Sequence, residues 1–60
     1  MDASTAFAEL KSTSKFIINQ TRDALRLHAW SNSDSENRRL EAANWAIKNW
    51  KKYFAYCKAR

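Results

Sequence analysis

The side chains best suited to covalent chemistry are the single cysteine and the single histidine, Cys57 and His28. A cysteine nucleophile needs a base within hydrogen-bond reach and donors for the developing oxyanion. Cys57 falls at the end of the second of two predicted helices, whereas His28 falls near the end of the first. In an antiparallel pair, about twenty residues of helical rise, or about 30 Å, would separate them. We therefore predict a small buried cysteine, a histidine near the loop, and no catalytic pair.

Other catalytic and cofactor chemistry lacks a recognisable pattern. Glu9, Asp23 and Glu41 are isolated from one another, and their neighbours at helical spacing are basic or polar. A chain without glycine cannot form a glycine-rich phosphate loop. One cysteine and one histidine cannot build a disulfide or a Cys/His metal cage within one chain. The sequence predicts that the protein is not an enzyme and holds no cofactor or metal.

A more informative group of side chains lies along the second predicted helix, where aromatic and basic residues alternate. Spacings of three, four and seven residues place them on one strip, which is predicted to face away from the core. Such a strip suits an acidic protein surface, nucleic acid, or a lipid surface. A second subunit packed on its aromatic residues is a further alternative, and nearby asparagines argue against lipid. The strip consists of Arg38, Trp45, Lys48, Asn49, Lys52 and Tyr56.

The elements that carry these residues follow from the absence of glycine and proline, which favours long helices and few turns. The one clear break is the polar segment 31–35, where Ser33 and Glu36 form a capping-box pattern. We predict one domain over residues 1–60, with helix 1 over 4–30, a loop over 31–33 and helix 2 over 34–58. The poor helix formers at 12–14 weaken helix 1, but the apolar period continues through them.

Apolar residues recur at three- and four-residue steps along both predicted helices, which is typical of a packed helix pair. The predicted fold class is therefore all-α, a two-helix antiparallel hairpin. Trp50 is predicted to be its largest core residue. The residues predicted to form the core or a dimer contact are Phe7, Leu10, Ile17, Leu25, Leu40, Ile47, Trp50 and Phe54.

Each predicted helix also carries a second apolar strip. Phe16, Leu27 and Trp30 lie away from the main apolar face of helix 1, and Trp45 and Tyr56 lie away from the main apolar face of helix 2. A two-helix hairpin has one inner face and cannot bury both strips. A core of this size is also only marginally stable on its own. We therefore predict a homodimer in which two hairpins form a four-helix bundle.

The net charge of +5, concentrated in the second half of the chain, favours an acidic partner. No apolar run is long enough for a membrane span, and no signal-peptide pattern is visible, which with the lone thiol predicts a cytoplasmic protein. Size and hairpin pattern are similar to the short helical regulators of phages and plasmids, including plasmid-encoded four-helix RNA-binding dimers. That similarity is one of shape and transfers no functional residue.

Three functions remain open from the sequence. The first is regulation through protein–protein interaction. The alternative is a nucleic-acid-binding helical dimer that uses the basic outer face of helix 2. The third is a purely structural subunit of a larger assembly.

Overall fold

The computed structural model describes residues 1–60 as four α-helices with no strand, which confirms the all-α class. The helices are α1 (Ala3–Leu10), α2 (Lys15–Leu27), α3 (Asp34–Lys48) and α4 (Trp50–Ala59), and a single 3₁₀ turn, Ala29–Ser31, joins α2 to α3. α3 lies at the centre: α1 and α2 both pack on it, and α1 also contacts α4. None of the helices is both long and apolar enough to cross a bilayer.

The capping box predicted at the start of the second helix is present. The Glu36 N–H donates to Ser33 Oγ at 3.2 Å, and the Ser33 N–H donates to Glu36 Oε1 at 2.9 Å. Because the charged carboxylate accepts that backbone N–H, the pKa of Glu36 lies below its ordinary value. α3 therefore begins where its sequence predicts.

The predicted continuous helix over 4–30 is wrong, because the chain breaks at residues 11–14. Lys11 adopts a left-handed conformation, φ 53°, and its N–H donates to the Phe7 carbonyl at 2.7 Å, which closes α1. Ser14 then caps α2, its Oγ accepting from the Ile17 N–H at 3.3 Å. Serine side chains hydrogen-bond to nearby backbone groups and so compete with helix formation. The segment is therefore stable as a turn when α1 packs against α3 and α4.

The predicted helix over 34–58 is also divided, at Asn49. The backbone N–H and the side-chain Nδ2 of Asn49 both donate to the Trp45 carbonyl, at 2.8 and 3.0 Å. The backbone at Asn49 has φ −115° and ψ 45°, outside the helical region. An asparagine that bonds back to the preceding turn interrupts the helix there, so α3 and α4 are separate helices.

The two breaks let the chain cover an apolar strip that a two-helix hairpin leaves exposed. α1 folds back against α3 and α4, and Phe7 packs between Tyr53 and Tyr56, with ring centroids at 6.4 and 6.1 Å. Trp45 is half-buried and packs against the core. The strip of helix 2 that was predicted to face away from the core is therefore partly covered within one chain.

The buried core is small and differs from the predicted one. Ile17 and Phe54 were predicted in the core or a dimer contact, but in the single chain they are 46% and 42% exposed. The remaining residues predicted there are half-buried: Phe7, Leu10, Leu25, Leu40, Ile47 and Trp50. Tyr53, rather than Trp50, is the largest fully buried side chain. The six buried residues are Ala6, Ile18, Ala42, Ala43, Ala46 and Tyr53.

The shift of the core has a packing cause. Three of the buried residues are alanines of α3, whose short side chains allow α1 and α2 to approach that helix closely. The three- and four-residue spacing of helix 2 selects a stripe that includes Ala43 but leaves out Ala42 and Ala46. The buried face of α3 and α4 is therefore rotated away from the predicted core residues Ile47, Trp50 and Phe54. It centres instead on Ala42, Ala46 and Tyr53.

Candidate interaction surface on helix α4

The inner side of α4 is occupied by α1. The Tyr53 hydroxyl donates to the Ser12 carbonyl at 2.6 Å, which ties α4 to the turn between α1 and α2. Burial of the phenol, reinforced by the neighbouring Cys57 thiol, raises the pKa of Tyr53 to about 12. The Arg60 guanidinium lies 4.0 Å from the centre of the Phe7 ring. These contacts hold α4 in a single orientation, which leaves its other side facing solvent.

The outer side of α4 presents a stacked aromatic pair in an open groove. The rings of Trp50 and Phe54, one helical turn apart, are nearly parallel at 20°, with centroids separated by 5.8 Å. Phe54 remains 42% exposed, so part of the pair is open to solvent. The groove, about 480 Å³ in volume, is referred to below as the α4 groove and is lined by Trp50, Lys51, Phe54, Ala55, Lys58 and Ala59.

Lysines surround the aromatic pair. The Lys15 Nζ, from the start of α2, lies 5.6 Å from the centre of the Trp50 ring, and the Lys58 Nζ lies 5.6 Å from the centre of the Phe54 ring. Ammonium groups at this distance from a ring are attracted by its electron-rich face. Lys51 is exposed at the same groove. The groove is thus apolar at its centre and positively charged at its edge.

The charge around α4 has no acidic counterpart nearby in the sequence. All six acidic residues lie within residues 1–41. The same segment contains six basic residues, so its formal net charge is zero. The whole net charge of +5 therefore belongs to residues 42–60. Its carriers are Lys48, Lys51, Lys52, Lys58 and Arg60.

The strip predicted to bind a partner is divided by the fold. Its aromatic members face inward: Trp45 packs against the core and Tyr56 against Phe7. Asn49 bonds to the helix backbone, and Arg38 lies 3.9 Å from the Glu9 carboxylate, Nε to Oε2. Only two members, Lys48 and Lys52, are exposed without a contact of this kind. The outward strip predicted from a straight second helix therefore does not exist as one surface.

The residues of the α4 groove were partly missed by sequence reasoning. Trp50 and Phe54 were assigned to the core, and Lys51, Lys58 and the two alanines were given no role. One signal could have found them: Trp50 and Phe54 at i, i+4, interleaved with Lys51 and Lys58 at i, i+7, in a stretch without acidic residues. The break at Asn49, which turns this row outward, carries no comparable signal.

Cys57 and His28 lie on different elements. Cys57 is half-buried in α4 near Tyr53. His28 is exposed at the end of α2, where its ring contacts Trp30 edge-on at 6.3 Å. Nowhere do three or more His, Cys, Asp or Glu side chains converge on a point that could hold a metal ion.

Comparison of the chain with protein-family models, with curated proteins and with solved structures finds no match in any of the three.

Proposed function

We propose that this is a non-enzymatic, regulatory binding protein that acts through protein–protein interaction, with the α4 groove as its contact site for an acidic partner. The observation that carries the proposal is the half-exposed Trp50–Phe54 pair enclosed by lysines. Exposed aromatic residues with a polar rim are typical of the energetic centre of a protein interface. The rim here is entirely basic, so the complementary surface carries carboxylates around an apolar side chain.

The main alternative is nucleic acid, which the same charge also favours. Binding of single strands depends on ring faces that are free to stack on bases. The Trp50 and Phe54 rings are already stacked on each other, and each also lies close to an ammonium group. The ring edges and the alanine floor of the groove remain for contact, and these suit an aliphatic or aromatic side chain better than a base.

Self-association through α2 is a second part of the proposal. Phe16 and Leu27 lie on one outer line of α2, and they are 67% and 73% exposed; Trp30, in the turn that follows, is 87% exposed. Between Phe16 and Leu27 this outer line carries one charged residue, Asp23, which is paired with Arg22 at 3.1 Å, so two copies can meet across α2 without strong charge repulsion. Such a contact would bring the outer faces of two α2 helices together, with the α3 of each copy on the far side. Sedimentation at micromolar concentration should then give twice the 7.0 kDa chain mass, and a Phe16→Ser/Leu27→Ser variant should sediment as a single chain.

Selection from a library of random displayed peptides tests the partner class directly. The protein should enrich peptides that combine carboxylates with a large apolar residue, and Phe54→Ser should abolish that enrichment. Because Phe54 is outside the core, the variant should keep the helical signal of the parent, with a small drop in melting temperature from the lost stacking on Trp50. Ile17→Ser is the matched control, because Ile17 is 46% exposed, close to the 42% of Phe54, and lies away from the groove, and it should leave the selection unchanged.

Random-sequence RNA and DNA pools, assayed at physiological salt, provide the competing outcome. Weak binding that falls steeply with salt is expected of any chain with this charge. Tight, sequence-selective nucleic-acid binding, together with no peptide enrichment, would show that the partner is nucleic acid.

A further inference from the structure

We infer that the α4 groove is shaped for one face of an amphipathic α-helix that carries two carboxylates two turns apart, with a large apolar side chain between them. This inference rests on the proposed function and specifies the partner of that same site.

The two lysines that line the groove set the spacing. Lys51 and Lys58 are seven residues apart on α4, so they lie on one face of the helix about 10 Å apart along its axis. Phe54 lies between them, one turn from each. A partner helix lying along α4 repeats the same geometry, because its residues i and i+7 also lie on one face at that spacing. Acidic residues at i and i+7 therefore meet both lysines while an apolar residue at i+3 or i+4 meets Phe54.

The floor of the groove allows a helix to come close. Ala55 and Ala59, one turn apart, are the other lining residues, and neither extends beyond its Cβ. Side chains of a partner helix can fit between rows of α4 where those rows are short. Docking of an amphipathic helix by its apolar face is a common mode of peptide recognition.

Charge decides against a second copy of this chain in the groove. A two-fold contact through α4 would bring Lys51 and Lys58 of both copies together, and residues 42–60 offer no carboxylate to separate them. Like charges brought together across an interface oppose association. The occupant is therefore a helix of opposite charge from another protein, whereas self-association uses the face of α2 that carries Phe16 and Leu27.

Designed helical peptides test the spacing. One peptide carries glutamates at i and i+7 with leucine at i+3. Its control has the same composition, with the second glutamate moved to i+9, on the opposite face of the helix. Affinity is measured by calorimetry, and contact sites by amide chemical shifts. The first peptide should bind about threefold more tightly than the control, because the control keeps the ion pair of its first glutamate and loses that of its second.

Two charge-reversed variants complete the test. Lys51→Glu/Lys58→Glu should weaken the first peptide about tenfold and should bind a version with lysines at i and i+7 more tightly than the parent does. Lys48→Glu/Lys52→Glu, with the same change in net charge outside the groove, should lose much less affinity. Equal losses of affinity in the two charge-reversed variants, or equal affinities of the two peptides for the parent, would show that the inferred spacing of the two carboxylates is wrong.

These outcomes separate the two proposals. If both peptides bind equally and Phe54→Ser abolishes both, the acidic-partner function stands and the helical spacing is wrong. If neither peptide binds and the library selection is also empty, both proposals are wrong.

Discussion

Tyr53 is the residue through which three of the four helices are joined. Its ring is fully buried between α1 and α3, and its hydroxyl reaches the backbone of the turn between α1 and α2. A tyrosine suits this position because its ring fills an apolar space while its O–H satisfies a carbonyl in the turn. Phenylalanine would fill the space equally well but would leave the Ser12 carbonyl without this donor.

The first prediction concerns that hydrogen bond. Tyr53→Phe should lower the free energy of unfolding by about 1–2 kcal/mol, because a partly buried acceptor loses its partner while the packing is kept. Urea denaturation, followed by circular dichroism, measures the loss. Tyr56→Phe is the control, since Tyr56 also packs against Phe7 but has no hydroxyl hydrogen bond of this kind. An unchanged midpoint for Tyr53→Phe would mean that the contact with Ser12 does not stabilise the turn.

Ionisation of the Tyr53 phenol makes the free energy of unfolding depend on pH in the alkaline range. The fold raises the pKa of Tyr53 from an ordinary 10.0 to about 12, so it favours the neutral form. The contribution is complete below pH 10 and is lost as the pH rises from 10 toward 12. The difference in stability between the parent and Tyr53→Phe should therefore shrink across that range. Tyrosinate absorbance of the Tyr56→Phe variant, in which Tyr53 is the one remaining tyrosine, reports the titration directly.

At the scale of the elements, helix ends set by side chains a few residues apart could be predicted, whereas interior breaks could not. Ser33 and Glu36 satisfy each other's backbone groups locally, so their pattern alone locates the start of α3. The polar residues 12–14 and Asn49 are each compatible with a helix or a turn. What decides between them is the packing of α1 against α3 and α4, a contact between distant parts of the chain.

The same reason explains how much of the candidate site could be predicted. The sequence was sufficient to place a basic, aromatic surface on the second half of the chain. It was not sufficient to say which aromatic residues face outward, because that depends on where α1 lies. Trp45 and Tyr56 are partly covered by the core and by Phe7, whereas Phe54 on the adjacent row is left exposed.

Lys11 carries the second prediction, because it is the one residue with positive φ. A side chain with a Cβ in the left-handed region is strained, and glycine is the residue that helix C-termini favour there. Lys11→Gly should raise the free energy of unfolding by about 0.5–1 kcal/mol, since relief of strain outweighs the added freedom of the unfolded chain. Lys11→Val should lower it by at least as much, because a β-branched residue resists this conformation more strongly. Urea midpoints of the two variants, measured beside the parent, would contradict this account if Lys11→Gly were the less stable.

At the scale of the whole molecule, α1 does within one chain what a partner subunit could do from outside. Only six of 60 residues are buried, and Ala6 of α1 is one of them. If residues 11–14 became helical, α1 would extend straight from α2 and could no longer reach its own α3. The apolar face of α1 and the strip on α3 and α4 would both be exposed. The α1 face of one copy would then fit the α3 and α4 strip of a second copy. Exchange of α1 between two chains would then restore the contacts of α1 with α3 and α4, since swapping an identical element needs no new interface.

The third prediction follows from this exchange. Replacing Ser12, Thr13 and Ser14 together with alanine favours a continuous helix by roughly 2 kcal/mol, from higher helix propensity and the loss of the cap on α2. The triple variant should therefore exchange α1 between two chains, and it should still sediment at twice 7.0 kDa when Phe16→Ser/Leu27→Ser removes the contact through α2. A Ser4→Ala/Thr5→Ala variant, with similar changes inside α1, should not exchange it.

A cross-linking experiment distinguishes exchange of α1 from ordinary association. Glu9 and Arg38 lie 3.9 Å apart, Oε2 to Nε, across the contact between α1 and α3. The variant Glu9→Cys/Arg38→Cys, in a Cys57→Ala background, therefore places two cysteines across that contact. A short bifunctional maleimide should link these cysteines within one chain in the parent sequence and between two chains in the triple variant. Linkage within one chain in both would mean that α1 folds back regardless of the residues at 12–14, and that its packing on α3 and α4 alone imposes the break.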